Sequence, residues 1–232
     1  KHYRLLLQKM AMMPYFGLPK LREELQSFLE KTQLKTILAD NRILKYDHVV
    51  VMGILNITPD SFYAGSRLRS LDEVINRAGQ MLSDGAEILD IGGESTRPGS
   101  DSIDSPEEIA RIVPVVEALR KEYPQSILSI DTYHAETAKA ALASGADIIN
   151  DISALEYDEK MIEVIVKNNA PVILMHMRGT PKNMQQNTQY GNVVEEVAKY
   201  LHERAAMLRG HNFPKEKIIL DLEDEQGRYA KG

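Results

Sequence analysis

The amino-acid sequence predicts an α/β fold, a (β/α)8 barrel of which about six strands are evident. From about residue 48 onward, short β-branched apolar runs alternate with longer amphipathic segments. The short runs are continuously apolar, which is typical of strands buried on both faces. Their alternation with helical segments indicates βαβ units and a parallel sheet.

Six strand candidates and five helix candidates follow one another along the chain. The predicted strands are 49–57, 87–92, 126–131, 147–152, 171–177 and 217–221, and the predicted helices are 71–84, 106–122, 134–143, 158–168 and 192–209. Residues 85–91 and 145–151 are near copies, each with a glycine that ends a helix before a buried strand. The separation of the two segments equals two βα units of about 30 residues each. This repetition favours a barrel over a doubly wound sheet.

Residues 1–35 predict a partly helical N-terminal extension, with an amphipathic helix over 18–31, ahead of a barrel domain at 36–232. Residues 36–45, around Asp40-Asn41, predict a hairpin that closes the bottom of the barrel.

One helix start carries a recognisable capping pattern. We expect Ser105 as the N-cap of the helix over 106–122, and Glu108 as the residue that closes a capping box. Asp104 and Glu107 then belong to this helix start rather than to a metal site.

Composition excludes several classes of protein. The 232 residues carry a net charge of −6, which argues against a nucleic-acid-binding surface. The absence of cysteine excludes disulfides, thiolate metal sites and cysteine nucleophiles, and is compatible with the cytoplasm, where we expect the protein. No apolar run approaches the roughly 20 residues that span a bilayer, so we expect no membrane partner.

Polar residues stand at the predicted carboxyl end of nearly every strand, where the βα loops of a barrel converge and ligands bind. They are Asn56, Asp90, Asp131, Asn150, His176 and Asp221. Any one of them can equally cap a helix or brace a loop, and His176 reads as a structural histidine inside an apolar run. The ring as a whole favours recognition of a flat heterocycle, whose N–H and amino groups pair with buried carboxylates and amides.

Two loops extend this edge. Residues 56–62 follow the first predicted barrel strand, and 92–99 follow the second. The second loop combines glycines with Ser95, Thr96 and Arg97, which suit an oxyanion such as phosphate.

Five ordered motifs resemble those of the dihydropteroate synthases. They are MGILNITPDSF at 52–62, DIGGESTRPG at 90–99, SIDT at 129–132, INDI at 149–152 and LMHMRG at 174–179. The resemblance covers roughly residues 36–221. It implies an enzyme of folate biosynthesis that joins 7,8-dihydropterin-6-ylmethyl diphosphate to 4-aminobenzoate and releases diphosphate.

The resemblance also implies roles for individual residues. Asn56 would hold Mg²⁺, the implied cofactor, against the diphosphate. Ser95, Thr96 and Arg97 would belong to a loop that closes over the reacting centre and binds substrate, with Thr96 and Arg97 catalytic.

On the same resemblance, Asp131, Asn150 and Asp221 would hydrogen-bond the pterin ring, and Met175 would form an apolar wall. Asp131 would also be catalytic, by offsetting positive charge on the ring. The implied partners are the two small-molecule substrates, and a homodimer is compatible with the family.

Two departures from the family pattern keep alternatives open. Tyr63-Ala64-Gly65-Ser66 replaces the usual loop residues after Phe62, and the family's Ser-Arg-Lys and Arg-x-His signatures are not found after Asp221. We therefore expect residues 1–232 alone to bind pterin weakly if at all and to turn over no substrate.

The alternatives are a corrinoid methyltransferase that uses methyltetrahydrofolate and a non-catalytic pterin-binding fragment. Loops 58–62 and 95–98 argue against the methyltransferase, whose chemistry handles no diphosphate.

Overall fold

The computed structural model describes residues 22–23, 34–57, 67–94, 103–177 and 191–222, so most of the helix predicted over 18–31 lies outside the described residues. The chain divides into two compact units, 1–35 with 45–49, and 36–44 with 50–232. In the first unit the Tyr46 N–H donates to the Leu34 carbonyl at 3.1 Å, and the His48 ring contacts Asp47 at 2.6 Å. The second unit contains the large sheet and its helices.

A short hairpin precedes one parallel sheet of six strands. The strands are β1 (Lys35–Ile37), β2 (Ile43–Lys45), β3 (Met52–Asn56), β4 (Ile88–Gly92), β5 (Ile127–Asp131), β6 (Ile148–Asp151), β7 (Val172–Met175) and β8 (Ile218–Asp221). The helices are α1 (Arg67–Ser83), α2 (Ser105–Glu122), α3 (Ala135–Ala143), α4 (Met161–Asn168) and α5 (Val193–Gly210), with a 3₁₀ turn at Lys215–Lys217. The sheet order is β3-β4-β5-β6-β7-β8, so strands that are consecutive in sequence are neighbours in space.

The main core lies between the sheet and its helices. Side chains alternate along each strand, and those on the convex face, such as Leu89, Ile91 and Ile130, are fully buried. They join one apolar cluster with Ile112 and Leu119 of α2. Burying an apolar side chain of this size stabilises the fold by roughly 1.5–3 kcal/mol. For this reason the continuously apolar runs of the sequence form the strands that the helices cover.

The concave face of the sheet curls inward. The Asn150 amide on β6 donates to Asp90 on β4 at 3.1 Å, although β5 lies between these two strands. Parallel strands in sequential order, helices on the convex face and inward curvature are the arrangement of six consecutive strands of a (β/α)8 barrel, which confirms the predicted fold class. Within the described residues β3 and β8 are the outer strands, and both expose apolar side chains, Ile54 and Leu220.

The repeated helix ends predicted at Gly85 and Gly145 are confirmed. Their φ angles are +107° and +108°, in the left-handed region that glycine adopts without strain. After each glycine the chain turns back in the same way, because Ala86 donates to the Met81 carbonyl and Ala146 to that of Ala141.

The predicted hairpin closes the amino-terminal end of the sheet. Its turn places Asn41 at a φ of +68°. The Arg42 guanidinium donates to the Ser126 carbonyl at 3.3 Å and to the Asp147 carboxylate. Arg120 also binds Asp147, at 2.6 Å. Because Ser126 and Asp147 immediately precede β5 and β6, the hairpin lies at the end opposite the predicted site.

The start of α2 differs from the prediction. Asp104 is the N-cap, and its side chain accepts the Glu107 N–H at 3.0 Å, so the helix start expected at Asp104 and Glu107 is confirmed. The prediction that Ser105 is the N-cap and Glu108 closes a capping box was wrong. Glu108 is 1% exposed and accepts a hydrogen bond from Thr132 instead, because it faces the sheet.

In the part of the chain that the structure describes, no helix is both long enough and apolar enough to cross a membrane.

Candidate functional site

The ends of four adjacent strands line up at the carboxyl edge of the sheet, and three of them carry a polar residue in the same row. Asn56 is in register with Gly92, Gly92 with Asp131, and Asp131 with Asn150. Further along this edge Met175 of β7 pairs with Asp221 of β8. Five of the predicted site residues therefore occupy the carboxyl ends of β3, β5, β6, β7 and β8. The other three, Ser95, Thr96 and Arg97, lie outside the described residues.

Gly92 leaves a space between two side-chain oxygens, one from Asn56 and one from Asp131. A methyl group at its Cα would lie 3.3 Å from the Asn56 Oδ1 and 3.5 Å from the Asp131 Oδ2. Asn56 is exposed and Asp131 half-buried, so the space is accessible from the edge of the sheet. Carboxylate and amide oxygens are the ligands that Mg²⁺ prefers, so Asn56 and Asp131 fit such an ion by donor type.

A buried acid–amide pair lies below this row. Asp90 is 4% exposed, and burial raises the pKa of its carboxyl above the ordinary value although the hydrogen bond from Asn150 lowers it. The Asn150 side-chain amide donates one N–H to Asp90. Its Oδ1 is buried and has no hydrogen-bond partner among the described residues. A buried acceptor in this state costs free energy unless a ligand donates to it.

Asp151, the residue after Asn150, holds the loop that follows β6. Burial raises the pKa of the Asp151 carboxyl, which accepts the N–H groups of Ser153 and Leu155, both at 2.8 Å. Ala154 and Leu155 have φ angles of +48° and +71°, unusual for residues with side chains. Because the Asp151 carboxylate and the contact from Arg204 to the Ala154 carbonyl hold this turn, the end of β6 that carries Asn150 is rigidly placed.

An apolar cluster lies at the ends of β6 and β7. It contains Met175, Ile152 and Met177, with Tyr133 packed against it. Flexible methionine side chains fill irregular gaps and contact aromatic rings favourably. The predicted wall residue Met175 therefore belongs to a buried apolar cluster at the carboxyl ends of β6 and β7.

A second polar cluster lies beside Asp131. Atoms of Glu94, Glu108 and His134 that can ligate a metal lie within 4.8 Å of one another, and mixed carboxylate and imidazole donors can hold a divalent cation. These groups also bind one another, since His134 Nδ1 lies 3.0 Å from Glu108. That hydrogen bond is the largest cause of the raised pKa of His134, and a protonated imidazole offsets part of the charge of the two carboxylates.

Sequence reasoning missed five residues of this region as site components, namely Gly92, Glu94, Glu108, Tyr133 and His134. One signal was present for Glu108, which is spaced four, seven and eleven residues before Ile112, Val115 and Leu119 on the apolar stripe of α2. A charged residue in such a stripe needs a buried partner. Gly92 and Glu94 lie in the loop 92–99, which the sequence already indicated as part of the site. Tyr133 and His134 carried no comparable signal, because they contact residues distant in sequence.

The sequence of this chain is similar to a known protein family and to proteins of known function. Residues 52–227 match the family model described as pterin binding enzyme. A dihydropteroate synthase of Synechocystis is 44% identical over 171 residues, which are 74% of this chain and 59% of that protein.

Two solved structures extend the similarity to the fold. A Xanthomonas albilineans dihydropteroate synthase with 4-aminobenzoic acid superposes with a TM-score of 0.72 and 35% identity, covering 83% of this chain and 67% of that one. A Burkholderia cenocepacia dihydropteroate synthase complexed with 7,8-dihydropteroate gives 0.70 and 39%, over 82% and 63%. The chain thus spans from 59% to 67% of the length of these three relatives.

Proposed function

The chain belongs to the family of pterin-binding enzymes, and we propose that it forms the pterin-binding part of a dihydropteroate synthase. The reaction would join 7,8-dihydropterin-6-ylmethyl diphosphate to 4-aminobenzoate in folate biosynthesis. The observation that carries the proposal is the row of Asn56, Gly92, Asp131 and Asn150 at the carboxyl edge of the sheet. Relatives at 35–44% identity are dihydropteroate synthases, one solved with 4-aminobenzoic acid and one with 7,8-dihydropteroate.

Pterin recognition would use buried hydrogen-bond acceptors. The pterin ring carries N–H and amino donors in one plane, and the Asn150 Oδ1 offers a buried acceptor on the concave face. Asp131 and Asp221 would supply carboxylates beside it, with Met175 against a face of the ring. A ligand lacking these donors would leave the acceptor unpaired, so such a pocket discriminates strongly.

Mg²⁺ would be held at Asn56. The support is the pair of oxygens, from Asn56 and Asp131, that face the space at Gly92. When bound, the ion would neutralise charge on the diphosphate. Replacing Asn56 with alanine should abolish the Mg²⁺ dependence of diphosphate binding in calorimetry, and an unchanged dependence would refute this ligand.

The protein would act by orientation and electrostatics rather than through a nucleophilic side chain. The C–O bond between the pterin methylene and diphosphate breaks, and diphosphate leaves with both electrons. The 4-aminobenzoate nitrogen then forms the new C–N bond and loses a proton to solvent. Asp131 would offset positive charge on the ring, while Ser95, Thr96 and Arg97 would contact diphosphate and the second substrate.

The remaining predictions become part of this proposal. Residues 36–232 would form the pterin-binding domain and 1–35 an extension. We propose a cytoplasmic location, with which the absence of cysteine is compatible.

Titration with 7,8-dihydropterin-6-ylmethyl diphosphate tests the proposal. We expect binding that is lost when Asp131 or Asn150 is replaced, and no binding of methyltetrahydrofolate. Weak binding is sufficient for this test, because the variants are compared with the parent chain. The absence of binding at millimolar concentration would overturn the proposal. A parallel assay of diphosphate release with 4-aminobenzoate, calibrated with the Synechocystis synthase, separates binding from turnover.

A further inference from the structure

We propose that Asp90 is a positioning residue, which holds the side-chain amide of Asn150 in one orientation so that Oδ1 is the acceptor offered to a ligand. The consequence is a preference for flat heterocycles that carry an N–H or amino donor over analogues with an acceptor in the same place. This ligand preference rests on the proposed function. The orientation of the amide is argued from Asp90, Asn150 and their neighbours in the sheet alone.

Asp90 determines which end of the Asn150 amide turns toward it. The Asn150 Nδ2 donates to the Asp90 Oδ2 at 3.1 Å, across the intervening strand β5. An ionised carboxylate has no proton to donate, so it pairs with the NH₂ group of an amide and not with its oxygen. Burial raises the pKa of the Asp90 carboxyl, and the hydrogen bond from Asn150 opposes that rise and favours the ionised form. The amide is therefore held in one of its two orientations.

The neighbours of Asn150 in its own row cannot satisfy the amide oxygen. Asn150 is in register with Asp131 on β5 and with Ile173 on β7. An ionised carboxylate only accepts hydrogen bonds, and an isoleucine side chain makes none. The Asn150 Oδ1 is buried and has no hydrogen-bond partner among the described residues. A buried acceptor in this state favours a ligand with a donor, since such a ligand supplies the missing hydrogen bond.

Asp90 lies beneath the row that would contact the ligand. It is in register with Ser129, whereas Asn150 is in register with Asp131, two residues further along β5. Because Asp90 is buried one level deeper in the sheet, it acts on a ligand through Asn150 and not by direct contact. A supporting residue of this kind fixes the orientation of the acceptor before a ligand arrives.

The orientation of the amide can be measured without a ligand. In the isotopically labelled 232-residue chain, NOEs from the Asn150 Nδ2 protons to the Asp90 β protons report the orientation that Asp90 imposes. D90N should weaken these NOEs by about half, since an amide at position 90 can donate to the Asn150 oxygen as well as accept from its nitrogen. NOEs of parental strength in D90N, or their absence in the parent chain, would overturn the proposal.

The ligand preference is measured as a ratio of affinities by NMR titration to millimolar concentration. The probes are 7,8-dihydropterin, 7,8-dihydrolumazine, which has an oxo group in place of the 2-amino group, and pterin, which lacks the N8–H. The parent chain should prefer 7,8-dihydropterin to at least one analogue by about tenfold or more, and D90N should reduce that preference to about threefold or less. A ratio does not depend on the folded fraction of a variant, because both affinities fall together.

A second variant and a matched control separate orientation from general perturbation of the sheet. D90N/N150D should restore the preference, since a carboxylate at position 150 presents an oxygen whichever way it turns. S129A removes a buried hydroxyl in register with Asp90 that has no hydrogen-bond partner among the described residues. It should leave the NOEs and the preference unchanged. An equal loss of preference in S129A and D90N would overturn the role of Asp90.

The two measurements distinguish this proposal from the proposed function. If D90N turns the amide but the parent chain binds none of the three probes, the proposed function and the ligand preference fail together, while the orientation of the amide stands. If the parent chain prefers 7,8-dihydropterin and D90N keeps that preference, the proposed function stands and Asp90 has no positioning role toward the ligand.

Discussion

Replacing Asn150 with alanine tests the buried acid–amide pair most directly. The change removes the 3.1 Å hydrogen bond to Asp90, a carboxylate that is 4% exposed. A hydrogen bond to a charged group contributes about 1.5–3 kcal/mol, so we expect the free energy of unfolding to fall by about 2 kcal/mol. For a domain of this size that corresponds to a decrease in Tm of about 4–8 °C.

The loss of stability in N150A should depend on pH, and the pKa of Asp90 determines whether this loss grows or shrinks as pH rises. Burial already raises that pKa in the folded chain, and Asn150 lowers it. In the variant the folded pKa rises further, so the folded variant holds its proton to higher pH than the folded parent. The difference in stability between parent and variant should therefore grow as pH rises through these two pKa values, and shrink in acid where Asp90 is protonated in both.

Urea denaturation at several pH values measures this difference, and N168A is a matched control. Asn168 donates to the Val164 carbonyl at 2.8 Å on the exposed side of α4, and its replacement should change stability by less than about 0.5 kcal/mol. A loss for N150A no larger than that of the control, or one that is constant with pH, would refute the argument.

Three further predictions concern the same edge of the sheet. D131N should weaken binding of a pterin diphosphate about tenfold to a hundredfold through loss of a charge-assisted hydrogen bond, and unchanged calorimetric affinity would reject its role. G92A should weaken diphosphate binding while leaving stability nearly unchanged, because the added methyl fills the space at Asn56 and Asp131. G93A should destabilise the fold instead, since its methyl would lie 3.0 Å from Glu108 and Ile112; similar urea midpoints for the two glycine variants would contradict this. H134Q should reduce stability most below about pH 6.5, the ordinary histidine value, because Glu108 raises the folded pKa of His134. That stabilising effect is lost as pH rises through the raised value, and a loss of stability in H134Q that does not vary with pH would exclude it.

The strand ends were predictable because parallel strands place their carboxyl ends on the same edge. Asn56, Asp131 and Asn150 were identified by their position after apolar runs, and the structure places them in one register row. Their roles toward a ligand remain predictions. The hairpin was predictable in the same way, since Asp40-Asn41 is a turn signal that depends only on local sequence.

Contacts between distant segments were not predictable. The Asp90–Asn150 hydrogen bond forms because the sheet curls until non-adjacent strands meet, and no local pattern encodes that curvature. Glu108 was misread as a capping residue, because its spacing fits a capping box as well as a buried face. Only the presence of Thr132 and His134 opposite α2 decides between the two.

The most direct test of the central claim is to map pterin binding on the isotopically labelled chain by NMR. Titration with a 7,8-dihydropterin to millimolar concentration detects weak as well as tight binding. We expect the largest shift changes at Gly92, Asp131 and the side-chain amide of Asn150, with none at Arg42 in the hairpin at the opposite end. No shift changes along this row, or changes concentrated around Arg42, would contradict the assignment of the concave carboxyl edge as a pterin site.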